Sequence, residues 1–179
     1  MSANASTRRF NPFSWSFRWK FLSGFFACVA VLLVSLYVQF GAGVQPCSMC
    51  TLQRGAFMVL CPLFLLGGLH APRGRLGRGI YAGLTASICA VGGAVAARQV
   101  WLQSLPPEQV PACGPDLAFM LKAWPLTRTL RQVLSGTGDC AEIDWTLFGM
   151  SMAVWALITF SVLGIWSICA ACIKDRSVV

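Results

Sequence analysis

Four long stretches without a charged side chain limit what this chain can become. The 179-residue sequence has no Asp, Glu, Lys or Arg across residues 21–53, 55–72, 79–97 and 145–173. A helix needs about 20 mainly apolar residues to cross the hydrocarbon core of a bilayer. The first, third and fourth stretches, of 33, 19 and 29 residues, satisfy this length, and the second reaches it if its helix includes the residues before Arg54. A hydrophobic content of 56% with only 11% charged residues also argues against a soluble domain.

We therefore predict an all-α membrane protein, a four-transmembrane-helix bundle that forms a single integral membrane domain over residues 1–179. Two loops are expected on the outer side, and the second should carry a short membrane-surface helix. The sequence predicts spans at 21–41, 50–69, 79–101 and 148–172, with outer loops at 42–49 and 102–147.

The orientation follows from the basic residues. Nine of the fourteen Lys and Arg side chains fall on one predicted side, namely Arg8, Arg9, Arg18, Lys20, Arg73, Arg75, Arg78, Lys174 and Arg176. The positive-inside rule makes that side, with both termini, cytoplasmic. Five of the six acids fall on the other side: Glu108, Asp116, Asp139, Glu142 and Asp144. The net charge of +8 is then a topology signal, and no nucleic-acid partner is predicted.

This topology divides the nine cysteines into two sets. Five lie in apolar spans, where we expect small buried hydrophobes: Cys28, Cys61, Cys89, Cys169 and Cys172. The last two form a Cys-x-x-Cys near the cytoplasmic end, where thiols stay reduced. Four cysteines face outward, where an even number predicts disulfides. Spacing favours pairing Cys47 with Cys50 and Cys113 with Cys140.

The outward pairs have three possible roles. Disulfides that staple the loops are common in oxidising compartments. However, closing so short a loop as Cys47 to Cys50 stabilises little, which favours an exchangeable redox pair. A zinc site usually shows two short-spaced ligand pairs, and the 27 positions between Cys113 and Cys140 do not fit. No metal site is therefore predicted.

The stretch PCSMCTLQR (46–54) favours redox chemistry. Pro46 suits the first turn of a helix, so the second span should begin near Pro46 or Cys47 and place both thiols at the positive helix end, which favours thiolates. Arg54 follows Cys50 by four residues and shares its helix face. Arg54 is either a snorkelling interfacial anchor or a support for the Cys50 thiolate and a polar acceptor such as a quinone. Arg98, in AARQVWL, either approaches the same region or anchors the interface beside Trp101.

The second outer loop has two parts. PPEQVPACGPD (106–116) contains four prolines and Gly114, so Cys113 should lie in an extended segment within reach of another protein. DLAFMLKAW and LTRTLRQVL have helical apolar spacing with basic residues between. They predict a helix that lies on the outer bilayer surface, or one packed on the bundle.

In these motifs the chain resembles the DsbB family of bacterial inner-membrane thiol oxidases. The resemblance rests on Pro-Cys-x-x-Cys with Arg54 four residues later, on Gly-Asp-Cys-Ala-Glu around Cys140, and on Trp145 with Phe148-Gly149 after it. It implies that a reduced DsbA-like thioredoxin-fold donor attacks the Cys113–Cys140 disulfide at Cys113, and that Cys140 then exchanges with the first pair through Cys47. Cys50 and Arg54 would form the quinone site.

The resemblance implies a protein-dithiol:quinone oxidoreductase that supports disulfide bond formation in exported proteins. Its catalytic residues would be Cys47, Cys50, Cys113 and Cys140. Its cofactor would be a quinone, with ubiquinone favoured over menaquinone. Its partners would be a DsbA-like periplasmic protein, membrane lipid and the quinone pool. The alternatives are a non-enzymatic scaffold or small channel with disulfide-stapled loops and, less favoured, a metal-handling membrane protein. Enzymes of the vitamin-K epoxide reductase type are a distant alternative, because their Cys-x-x-Cys lies elsewhere in a similar bundle.

Overall fold

The computed structural model describes residues 16–110, 117–136, 138–143 and 145–172, and four long helices dominate them. The helices in chain order are α1 (Phe17–Phe40), α2 (Ser48–His70), α3 (Arg75–Gln103), α4 (Leu117–Ala123), α5 (Leu126–Ser135) and α6 (Met152–Cys172). Of these, α1, α2, α3 and α6 are long and apolar enough to cross a membrane. The predicted fold class, a four-transmembrane-helix bundle, is confirmed.

The four long helices pack as a closed bundle, in which α1 and α3 each contact both α2 and α6. Small residues allow this close approach. A Cβ atom added to Gly92 of α3 would lie 2.5 Å from the ring of Phe160 on α6, so a side chain there would displace this ring or push the two helices apart. The Phe160 ring stacks on Phe57 of α2, with centroids 4.2 Å apart. One aromatic pair therefore ties three helices together near the middle of the bundle.

The α1–α2 and α3–α6 connections lie at the same end of the bundle, which we call the loop end. Here α2 begins at Ser48, with Cys47 as its N-cap in an extended conformation. Pro46 precedes the cap and so lies outside the helix, not in its first turn. The N-cap explains why the helix begins after Pro46. An N-cap residue has extended backbone and a side-chain acceptor, and the Cys47 sulfur is that acceptor.

The connection from α3 to α6 contains α4 and α5 in the two segments with helical apolar spacing. In α5, Thr129 and Val133 face the protein. Leu126, Leu130 and Leu134 are exposed at intervals of four residues along another face. Such an exposed apolar stripe suits contact with lipid. The placement of this helix on the bilayer surface stays a prediction.

A short hairpin, not helix, occupies the start of the predicted fourth span. Residues Thr146–Leu147 and Met150–Ser151 pair antiparallel, and α6 begins only at Met152. Phe148 and Gly149 between them have positive φ values of 53° and 76°. Two consecutive residues with positive φ form the tight turn that suits a hairpin and cannot continue a right-handed helix. The prediction that the helix begins at residue 148 was therefore wrong.

Candidate active site

Cys47 and Cys50 lie together where α2 begins. Their Sγ atoms are 2.8 Å apart, in hydrogen-bond contact without a disulfide between them. The Cys47 sulfur also accepts a hydrogen bond of 3.3 Å from the Cys50 backbone N–H. Both sulfurs are therefore at the positive end of the α2 dipole, as predicted from the position of the motif. Their pairing as a disulfide stays a prediction.

Two buried amides hold this thiol pair. The side-chain nitrogen of Gln99, on α3, donates to the Cys50 sulfur at 3.2 Å and to the Cys47 sulfur at 3.4 Å. Gln53 of α2 donates in turn to the Gln99 carbonyl oxygen at 2.8 Å, which turns the Gln99 NH₂ group toward the sulfurs. The same carbonyl lies 3.7 Å from the Cys50 sulfur and can accept a proton donated by the thiol. Gln99 can therefore satisfy Cys50 both as thiol and as thiolate.

Cys140 joins the pair from the second loop. It ends a 3₁₀ turn (Gly138–Cys140), is fully buried, and places its sulfur 3.6 Å from the Ser48 hydroxyl. Hydrogen bonding with Cys140, followed by hydrogen bonding with Cys50 and by burial, raises the pKa of Cys47 above its ordinary value. The structure thus brings together three of the four predicted catalytic cysteines. The fourth, Cys113, lies outside the described residues.

Arg54 reaches across to α1. Its Nε donates to the Ser35 hydroxyl at 3.0 Å, one terminal nitrogen donates to the Gln39 side-chain oxygen, and the other donates to the Ser35 carbonyl at 3.3 Å. These bonds fix the half-buried guanidinium between two helices. A simple snorkelling anchor would not need three such partners.

A cavity of about 320 Å³ connects Arg54 to the thiols. It lies between α1, α2, α3 and α6 at the loop end, and Cys47, Cys50 and Arg54 all line it. Its deeper wall is apolar. The residues there include Val31, Phe57, Ala153 and Ala156. The shape offers a polar recess beside an apolar one, which suits a ligand with a polar head and a hydrocarbon tail.

Arg98 does not join this cavity. Its guanidinium stacks 4.1 Å from the Trp101 ring centre and donates to the carbonyl oxygens of Leu134 and Ser135. The interpretation that placed Arg98 beside Trp101 agrees with this geometry, although its bonds to the end of α5 were not foreseen.

The expectation that the other five cysteines are small buried hydrophobes holds for only some of them. Cys28 and Cys89 are buried, and Cys61 packs against the same apolar cluster in the bundle. Cys169 is half-buried and Cys172 is exposed. The expectation of burial was therefore wrong for Cys172, which lies on the exposed side of the last turn of α6.

Sequence reasoning missed Gln53, Gln99, Ser35 and Gln39. A signal was present, because uncharged polar side chains inside apolar spans are costly unless they are paired or functional. Gln99 is part of AARQVWL, in which only the charged residue was considered. Which polar residues meet across helices depends on the rotation of each helix, and periodicity did not define that rotation.

The fold and site define a class of protein, a four-helix membrane protein with a paired-thiol site at one end. The family model for disulfide bond formation protein DsbB matches residues 17–175. The chain belongs to this family.

Several relatives bear the name disulfide bond formation protein B. The one from Xanthomonas euvesicatoria pv. vesicatoria is 44% identical over 167 residues, which cover 93% of this chain and 97% of the relative. The one from Xanthomonas campestris pv. campestris is 45% identical over 160 residues, covering 89% and 93%. The one from Chromohalobacter salexigens is 49% identical over 142 residues, covering 79% and 83%.

Proposed function

We propose that this protein is a protein-dithiol:quinone oxidoreductase of the bacterial inner membrane, with its active cysteines on the periplasmic side. It would reoxidise a DsbA-like thioredoxin-fold donor and so support disulfide bond formation in exported proteins. The observation that carries the proposal is the position of Cys50. Its sulfur contacts Cys47, is held by Gln99, and lines the same cavity as Arg54.

The thiol exchange begins at the second loop. The donor thiolate attacks Cys113 of a Cys113–Cys140 disulfide, a mixed disulfide with the donor forms, and Cys140 leaves as thiolate. Full burial of Cys140 supports attack at Cys113, because a large protein donor cannot reach a sulfur without exposed surface. The second donor thiol then releases the donor as a disulfide and leaves Cys113 reduced.

Cys140 next attacks the Cys47 sulfur of a Cys47–Cys50 disulfide. The Cys47–Cys140 bond forms, the Cys47–Cys50 bond breaks, and Cys50 leaves as thiolate. Contact among Cys47, Cys50 and Cys140 supports this direct exchange. Cys113 then attacks Cys140, which restores the second-loop disulfide and leaves Cys47 and Cys50 as the reduced pair. Gln99 donates hydrogen bonds that stabilise the thiolate on Cys50.

The cavity residues fit a quinone. Arg54 and Gln39 supply polar groups at the end near the thiols, and the apolar wall formed by α1, α2 and α6 suits an isoprenoid tail. When bound, the quinone would accept two electrons and two protons and leave as quinol. Arg54 would orient the polar head and stabilise negative charge there. Among quinones, we propose ubiquinone before menaquinone.

The test is turnover of the purified protein with a reduced thioredoxin-fold donor and a short-chain ubiquinone, followed by quinone absorbance. A short-chain menaquinone run in parallel tests the preference between quinones. We expect quinone reduction that requires all four outward cysteines. Absence of turnover with either quinone, together with outer disulfides that survive mild reductant, would instead support a stapled scaffold or channel.

A further inference from the structure

Arg98 links the end of α3 to the end of α5. Its terminal nitrogen donates to the Ser135 carbonyl at 3.2 Å, and its Nε lies 3.5 Å from the Leu134 carbonyl. These are carbonyls of the last turn of α5, where unpaired acceptors and the negative end of the helix dipole favour a cation. The Trp101 ring, one turn further along α3, supports the guanidinium from one face at 4.1 Å.

The chain that leaves α5 leads directly to Cys140. Gly136 follows the helix with φ +89°, and a Cβ atom there would lie 2.4 Å from Leu102 of α3. This backbone therefore lies directly against α3, one turn beyond Arg98. Two residues further on, the 3₁₀ turn at Gly138–Cys140 is closed by a hydrogen bond of 2.9 Å from the Ala141 N–H to the Gly138 carbonyl. Only four residues separate Ser135, at the Arg98 contact, from Cys140.

The same region has an apolar core that receives Cys140. Cys140 packs in one buried cluster with Met49 of α2, Leu102 of α3 and Val133 of α5. This cluster determines the depth at which the second loop sits on the bundle. Apolar contacts are not directional, however, whereas the two carbonyl bonds to Arg98 fix where α5 ends along α3.

We propose that Arg98 is a positioning residue, which holds the end of α5 on α3 so that the Cys140 sulfur lies against Cys47 for thiol–disulfide exchange. This inference rests on the proposed function, in which Cys140 exchanges with Cys47. The contacts of Arg98 with α5 and the distance between Cys140 and Cys47 do not involve the quinone. Without Arg98, the end of α5 loses its hydrogen bonds to α3 and keeps only apolar contacts there, so Cys140 should spend less time within reach of Cys47. Since Arg98 does not line the cavity with Cys50 and Arg54, the first pair itself should be unaffected.

The chain offers a matched control in Arg128. Its guanidinium stacks 4.6 Å from the Trp124 ring centre, so it too is a loop-end arginine on a tryptophan. It is exposed and belongs to α5 itself, and none of its described contacts joins α5 to α3. Arg128→Ala removes a similar charge and a similar ring contact but leaves the hydrogen bonds between α3 and the end of α5 in place.

The first experiment measures proximity directly. In a Cys50→Ser/Cys113→Ser background, reduced protein is treated with diamide, which takes two electrons and two protons as Cys47 and Cys140 form a disulfide. The cross-linked peptides are quantified by mass spectrometry over time. A cation at a helix C-terminus stabilises that end of the helix, so we expect Arg98→Ala to slow this disulfide about 3- to 10-fold, which corresponds to about 0.7–1.4 kcal/mol. Arg98→Lys should recover part of the rate, and Arg128→Ala should leave it unchanged.

An unchanged rate in Arg98→Ala would overturn the proposal. Equal slowing by Arg98→Ala and Arg128→Ala would also overturn it, since a general loosening of the loop would then explain the effect. Neither result depends on whether the protein reduces quinone.

The second experiment separates the exchange step from the quinone step. With cysteines 47, 50, 113 and 140 intact, Arg98→Ala should lower quinone reduction driven by a thioredoxin-fold donor by about the same factor. In a Cys113→Ser/Cys140→Ser background, dithiothreitol reduces the Cys47–Cys50 disulfide directly, and here Arg98→Ala should change quinone reduction less than about twofold.

Equal loss in both assays would overturn the positioning role, because Arg98 would then act at the first pair. No quinone reduction in the parent protein with either reductant would instead count against the proposed function, while the diamide result would still decide the role of Arg98.

Discussion

The chain contains two Cys-x-x-Cys pairs, and their surroundings differ in nearly every respect that governs thiol chemistry. Cys47 and Cys50 flank the first residues of α2, at the positive end of its dipole, with the Cys50 N–H bonded to the Cys47 sulfur. Cys169 and Cys172 are in the last turn of α6, at the negative end of that helix. The α6 helix extends for about 30 Å between its start near the first pair and the second pair.

The neighbours of the two pairs differ as well. Gln99 donates to both sulfurs of the first pair, and the cavity opens beside them. Neither Cys169 nor Cys172 has a hydrogen-bond partner within the part of the chain that the structure describes. The motif therefore specifies only that two thiols are close. Helix end, fixed amide donors, a third thiol and an adjoining cavity make one pair suitable for redox exchange.

The largest expected effect separates the two pairs directly. Cys50→Ser should lower donor-driven quinone reduction by at least about 10³-fold, since it removes a reacting sulfur. Cys169→Ser/Cys172→Ser should stay within about twofold of the parent. The measurement is quinone absorbance in detergent with saturating donor. Comparable losses in the two variants would mean that the environment of the pair does not select the reacting thiols.

Arg54 should give the next largest effect. Arg54→Ala removes a guanidinium that lines the cavity and has three described hydrogen bonds to α1. Hydrogen bonds to charged groups contribute about 1.5–3 kcal/mol, so kcat/KM for quinone should fall about 10- to 100-fold. Donor-driven reduction of the Cys47–Cys50 disulfide in the absence of quinone, followed by thiol labelling, should be unchanged. A loss in that second assay would move the role of Arg54 from the acceptor to the thiols.

The amide pair should have a smaller effect that depends on both partners. Gln99→Leu leaves Gln53 buried without its acceptor, which should lower the free energy of unfolding by about 1–3 kcal/mol. The double variant Gln53→Leu/Gln99→Leu should recover most of that stability, because no buried amide is left unpaired. Thermal unfolding in detergent measures this.

Quinone turnover by the double variant Gln53→Leu/Gln99→Leu should separate the effect of the amide pair on activity from its effect on stability. The double variant should remain several-fold slower than the parent, because Cys50 has lost its hydrogen-bond donor. Full activity in a stable double variant would show that the Gln99 contact serves packing alone.

The smallest expected effect concerns the protonation of Cys47. Hydrogen bonding with Cys140 is the largest cause of its raised pKa. A raised pKa lowers the thiolate fraction at a given pH, so Cys140→Ala should move the pH midpoint for iodoacetamide alkylation of Cys47 downward. Alkylation at pH 8 should be a few-fold faster, with Cys172 in the same sample as the internal reference. An unchanged midpoint would remove Cys140 from the immediate surroundings of Cys47.

Much of this architecture follows from one-dimensional features. The lengths of the stretches without charged residues predict four membrane helices. The position of Cys47 and Cys50 before an apolar run predicts that both lie at the start of a helix. The hairpin before α6 was not predicted, because an apolar stretch that begins at Trp145 gives no sign that Phe148 adopts positive φ. Gly149 was the available signal, since glycine after a bulky residue can mark a tight turn.

The polar part of the site was harder to predict. The spacing of Cys50 and Arg54 indicates a shared helix face, yet Arg54 bonds to Ser35 and Gln39 on another helix. Gln53 and Gln99 meet only because α2 and α3 pack with one particular rotation. This contact joins residues 46 positions apart and depends on how α2 packs against α3. No local pattern in the sequence predicts that packing.

We propose that the pair at the start of α2, and not the pair at the end of α6, passes electrons to a quinone. The most direct measurement starts from fully reduced Cys113→Ser/Cys140→Ser protein, in which the first disulfide cannot pass to the second loop. It adds one equivalent of short-chain ubiquinone without oxygen and identifies the resulting disulfides by mass spectrometry. We expect a Cys47–Cys50 disulfide, one equivalent of quinol, and Cys169 and Cys172 still as thiols. Quinol formation with a Cys169–Cys172 disulfide, or no disulfide at all, would contradict the proposal.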